Sequence, residues 1–167
     1  MGGIYYKSIQ KPVLSEHDIT LIKDLLHKAN NLEFSLYEKV PNLKDTVLLE
    51  QYHVSNGASK KTIIETLNRR VERNTFLDID NSMYKLGDRD ITIESTTATT
   101  ATAMTFEYWK IIWLRNDSLE NEIIQDRIWD NINRQNYMLI KQDGKWLIEE
   151  NIYSCLLYTS PSPRDRG

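Results

Sequence analysis

The chain has 167 residues, a single cysteine and a formal net charge of −3. Mild acidity argues against the basic face of a nucleic-acid binder, and a lone cysteine excludes a disulfide framework or cysteine-ligated zinc. No apolar run is long enough to span a bilayer, and Met1 to Pro12 lacks the apolar segment of a signal peptide.

The predicted elements begin after an N-terminal extension, residues 1–14. Ser15 followed three residues later by Asp18 is a helix-start signal, because both can accept from the unpaired N–H groups of a first turn. Ile22, Leu25, Leu26, Ala29, Leu32 and Leu36 then recur at helical spacing, with Lys23, Asp24, Lys28 and Glu33 expected on the solvent side. Val40 stops this helix, since the residue before Pro41 is pushed out of helical geometry. Asn42 and Asp45 open a shorter helix through Val47, Leu48 and Tyr52, closed by Ser55-Asn56-Gly57. A third stripe, Ile63, Ile64, Leu67 and Val71, alternates with Asn68 to Arg70 and Glu72 to Arg73, which read as a solvated face.

From Phe76 the pattern changes to β-branched and aromatic residues with period two. Phe76 to Ile79 and Met83 to Leu86 are predicted strands, with a turn at Gly87-Asp88. Ile91 and Ile93 open a Thr-rich stretch, Thr96 to Thr105, which fits either one strand or a hairpin bent near Ala98 to Thr100. Phe106, Tyr108, Ile111 and Trp113 continue it to Asn116-Asp117-Ser118, with a bulge expected near Trp109. Asp126 to Asn131 is polar and reads as a loop or strand edge. Asp143-Gly144, between Tyr137 to Gln142 and Lys145 to Ile148, is a two-residue hairpin signal, because both turn positions need positive φ. Trp146, Ile148 and Ile152 are expected on one face of the last strand, with Leu147, Glu149, Asn151 and Tyr153 on the other. Helices first and a paired sheet afterwards define a segregated α+β fold, three N-terminal helices packed on a curved antiparallel sheet.

Residues 155–167 stand apart. Cys155 to Asp165, Cys-Leu-Leu-Tyr-Thr-Ser-Pro-Ser-Pro-Arg-Asp, resembles a translated sequencing adapter, so this tail is expected to be non-native and to pack poorly. Removing it takes away the cysteine, Arg164, Arg166 and Asp165, and moves the net charge from −3 to −4. Residues 15–154 are the expected single domain, a length that supports one core.

Three helices followed by an antiparallel sheet with Tyr137, Leu139, Trp146 and Ile148 resemble the nuclear transport factor 2-like superfamily, whose fold is a cone. The small-residue strand Ala101, Ala103 leading into Glu107 and Trp109 is most similar to the IMS domain and to related domains of bacterial membrane-anchored proteins. The resemblance implies a pocket between the concave sheet face and the helices. It also implies a parent protein in which the domain follows a membrane anchor, extracytoplasmic and tethered. Because the superfamily holds enzymes, transport factors and scaffolds, the chemistry rests on side chains.

An isomerase or lyase of the ketosteroid-isomerase-like type needs a carboxylate or His base with an opposed Tyr or acid donor. His53 with Tyr52, and Glu107 with Tyr108, are the candidates. His53 sits at a helix end, where a cation near the carbonyls is favourable. Glu107 is expected on the solvated or cross-strand-paired side, and adjacent strand residues such as Glu107 and Tyr108 point to opposite faces unless a bulge intervenes. No metal site is expected: His17, His27 and His53 lack ligand spacing, and Asp78-x-Asp80-Asn81 departs from a calcium loop at Met83 and Arg89. No cofactor is called for. Trp109, Trp113 and Trp129 are candidate ligand or interface residues, Trp129 as an exposed contact, with core packing the alternative for Trp109, Trp113 and Trp146. The reading is therefore a non-enzymatic module for a protein or a small apolar ligand. A homodimer through the exposed sheet face is a third reading.

Overall fold

Residues 14–155 are described by a computed structural model of the chain. The expectations for residues 1–13 and 156–167 lie outside the described residues. Helix α1 runs over Glu16–Lys39, a 3-10 helix over Lys44–Gln51, and α2 over Ala58–Glu72. Ser15 accepts from the Asp18 N–H at 3.0 Å, and the chain leaves α1 at Val40. Among the described residues no helix is long and apolar enough to cross a membrane.

The strands are β1 (Thr75–Leu77), β2 (Met83–Lys85), β3 (Ile91–Ser95), β4 (Thr100–Asp117), β5 (Glu122–Gln142) and β6 (Lys145–Cys155). They form one antiparallel, curved and unclosed sheet in which β1, β2 and β3 all pair with one edge of β4. On its other edge β4 pairs with β5, and β5 with β6. The Thr-rich stretch is thus a hairpin, turning between Ser95 and Thr100. The Asp143-Gly144 turn has both residues at positive φ, 50° and 77°, as a two-residue hairpin requires.

Four expectations need correction. Asp126 to Asn131 lies inside β5 rather than in a loop. The irregularity expected near Trp109 falls at Trp113/Leu114. A second one between Met138 and Leu139 skips a residue of β6, so Asn151 faces Tyr137, Tyr153 faces Gln135, and Ile152 turns outward. One bulge flips every later side chain, which is why Ile152 does not share a face with Ile148. Finally, Arg70 is fully buried rather than on a solvated face. Its guanidinium lies 5.5 Å from the Trp113 ring and 3.6 Å from Asp126, which also receives two hydrogen bonds from Arg73 and one from Arg115.

The concave face meets the helices through two apolar clusters. One holds Ile22, Leu25, Leu26 and Ala29 of α1 against Ala101, Ala103, Tyr137, Leu139, Trp146 and Ile148. The other holds Leu36 and Tyr37 with Leu49, Ile63 and Leu67 against Trp109, Ile111, Trp113 and Trp129. Each fully buried Leu or Ile contributes about 1.5–3 kcal/mol, so these faces fix the sheet against the helices.

Candidate functional site

Between the two clusters runs a polar layer. Strand alternation puts Thr105, Glu107 and Trp109 of β4 on the concave side, and Asn133, Gln135 and Tyr137 of β5 beside them, because odd-numbered residues on both strands point inward. Helix α1 supplies Asn30, Glu33 and Tyr37, spaced so that they lie on one helix face. Both glutamates are buried. That corrects the expectation of solvent for Glu107 and for Glu33.

Glu107 has no exposed surface and accepts four hydrogen bonds. Thr105 Oγ1 donates at 2.6 Å, the Tyr137 hydroxyl at 2.5 Å and Asn30 Nδ2 at 3.3 Å to Oε2, while Trp109 Nε1 donates at 2.8 Å to Oε1. Asn30 Nδ2 also reaches the Tyr137 oxygen at 3.0 Å, and the Tyr37 hydroxyl donates to Glu33. Four donors on one carboxylate match the acceptor-only inventory of an ionised group. The tyrosines respond accordingly: Tyr137 is held well above the usual phenol range, first by burial and then by the Glu107 charge. Tyr84 shifts the same way, for the same causes in the same order. Its hydroxyl lies near the Asn30 amide without good hydrogen-bond geometry to any described residue.

Aromatic rings fill the space beside this layer. The Trp109 ring lies 4.5 Å from Tyr84 and 6.2 Å from Tyr37, and Tyr37 meets Trp113 edge-on at 5.7 Å. Trp109 and Trp113 therefore pack in the core. Trp129, expected to be exposed, is 7% accessible and T-stacked on Tyr153. Farther along the layer, Asn151 donates to Gln135 at 2.6 Å. The Asn133 carboxamide, Gln135 Nε2, Asn151 Oδ1 and Trp129 Nε1 have no hydrogen-bond partner among the described residues.

The sequence candidates separate. Tyr108 is on the outer face, donating to Asp130 at 2.7 Å, opposite to Glu107 as alternation requires. His53 lies elsewhere, where the segment after the 3-10 helix lies along β6: His53 bridges Ile148, Val54 N–H donates to the Ile148 carbonyl and Ile148 N–H to the Tyr52 carbonyl. Gly57 is needed there, because a Cβ would stand 2.8 Å from the Glu149 carbonyl oxygen. His53 Nδ1 is 3.0 Å from Ser59 Oγ, and burial, aided by nearby Lys60, lowers its pKa to about 4. Burial keeps it neutral, in place of the helix-end cation expected from sequence.

A pH dependence follows. The unfolded His53 titrates near 6.5 and the folded one near 4, so between these values the unfolded chain binds more protons and stability rises with pH. This contribution is present above about pH 6.5 and is lost as pH falls to about 4, reaching about 3 kcal/mol. Urea midpoints measured across that window should fall steeply for the wild type and less steeply for His53→Gln. Parallel curves for the two proteins would contradict the assignment.

The partners of Glu107 were missed in the sequence. Thr105-x-Glu107-x-Trp109 and Asn133-x-Gln135-x-Tyr137 do share a period of two, but nothing local says that the polar members face inward.

Fold and layer together define a class, an α+β domain with three helices on an unclosed six-stranded antiparallel sheet. No protein-family model and no curated protein matches the chain. Among solved structures it is similar to the intermembrane space region of the chloroplast protein ARC6, with a TM-score of 0.57 and 11% identity over 86% of this chain and 99% of that one. At that identity the likeness bears on the fold alone.

Proposed function

We propose that the chain is a non-enzymatic binding or interaction module, a nuclear transport factor 2-like domain carried by a membrane-associated protein. The observation that carries this reading is the state of Glu107: its acceptor sites are taken by Thr105, Asn30, Tyr137 and Trp109 inside a packed core. A general base needs a lone pair aimed at substrate, and here the lone pairs face Thr105 and Trp109 of β4, Tyr137 of β5 and Asn30 of α1. Likeness to the intermembrane space region of a chloroplast protein supports the α+β fold alone, and the membrane-associated setting is part of the proposal. The isomerase-type alternative has one observation in its favour, a buried carboxylate paired with a tyrosine, but both groups are spent on each other.

The working surface is then the outer face of the sheet. Phe106 (36% exposed), Ile132 (43%), Met138 (43%) and Ile152 (55%) are exposed apolar side chains there, interleaved with Arg134 and Asn136 of β5, and apolar side chains gathered on one exposed face mark a contact site. A photoreactive phenylalanine analogue at Ile132 should give a discrete protein adduct in the native host, and the same analogue at exposed Asn68 on α2 should give none. Equal adducts from both positions, or none from Ile132, would contradict the proposal.

A further inference from the structure

Register divides the outer face into rows across the sheet. Glu94, Thr102, Met138 and Glu150 form one row, and Lys85, Tyr108 and Ile132 another, with Met104 and Phe106 between them. Carboxylates thus mark one end and Lys85 the other, while the rows between carry Met104 and Phe106 on β4 beside Asn136 and Arg134 on β5. β2 and β3 pair with the same edge of β4, so Lys85 and Glu94 lie on one side of the face. Both are exposed.

This arrangement is complementary to itself. Consider a two-fold axis lying across the strands at the level of Thr105, midway between the Thr102 and Tyr108 rows. It inverts the order of rows but keeps the β2 and β3 side over itself. Glu94 then meets the partner subunit's Lys85, Met138 meets the partner subunit's Ile132, and Met104 and Phe106 pack at the centre. Isologous two-fold pairing is the common form of homo-oligomer, and sheets stack face to face with strands roughly aligned. We infer that the partner of the outer face is a second copy of this chain, related by that axis. This rests on the outer face being the working surface and adds the identity of what covers it.

The intact chain should show a concentration-dependent mass by sedimentation equilibrium, rising from monomer to dimer. Lys85→Glu or Glu94→Lys alone places like charges at two symmetric contacts and should weaken the dimer at least about tenfold. A one-to-one mixture of the two variants restores opposite charges at both contacts and should associate near wild-type strength. Circular dichroism of each variant checks that the fold is kept. A monomer at every concentration, single variants that pair like wild type, or a mixture that stays monomeric would overturn the inference. A monomer that still yields an Ile132 adduct with a different protein would overturn the second copy and leave the interaction module standing.

Discussion

Replacing Glu107 with Ala should cost about 3–5 kcal/mol, because it strands a buried tyrosine, threonine and indole that donate to that carboxylate and removes one acceptor of the Asn30 carboxamide. For a domain of this size that lowers the melting midpoint by about 10 °C or more. Glu107→Gln keeps the shape but turns an NH2 toward donors, so one side of the group loses its acceptor and the expected cost is about 2–3 kcal/mol. Denaturant titration of both variants gives the ordering Ala worse than Gln worse than wild type. If either variant were as stable as wild type, Glu107 would not be holding the buried polar layer together. Gln is the informative case should Ala fail to fold.

The second large effect is expected at Asp126. Its carboxylate gathers Arg70, Arg73 and Arg115, and the hydrogen bond from Arg73 is the main reason that it stays ionised to low pH. Arg70 is the costly member, since its guanidinium is wholly buried and desolvation lowers its pKa to about 10. Asp126→Ala leaves that cation without its neighbouring carboxylate, and breaking a buried pair on one side costs about 3–5 kcal/mol. Removing both should be milder: Arg70→Leu with Asp126→Ala takes away the stranded charge and fills part of its volume with apolar atoms. A double-mutant cycle in denaturant should show this coupling. Simple addition of the two single losses would mean that Arg70 does not depend on Asp126.

These two sites show why the sequence reads well in some places and poorly in others. Ser15 with Asp18, Val40 before Pro41, and Asp143-Gly144 carry their reasons locally, in capping geometry, proline sterics and positive φ, and the structure has helix start, helix stop and hairpin at those residues. The N-terminal half of β5 does not. Its inward positions include Asn131, Asn133 and Gln135, so the apolar alternation that marks a half-buried strand is missing, and a buried polar strip looks like a loop. Glu107 and Glu33 are the same case, because a carboxylate reads as solvated until the strand or helix that supplies its donors is known. Arg70 reads as surface because its carboxylate partner is more than fifty residues away in sequence. Ile152 turns outward because of a bulge that leaves no local mark in the sequence.

In the proposed reading the interior holds the fold and the outer face makes the contacts. The most direct test is photocrosslinking from Ile132 in a Glu107→Gln background, at a temperature where the variant is folded. The adduct and its yield should match those of the protein with Glu107 intact, despite the lower stability. Loss of the adduct in a folded Glu107→Gln variant would mean that the buried carboxylate takes part in recognition, and would contradict the division proposed between core and surface.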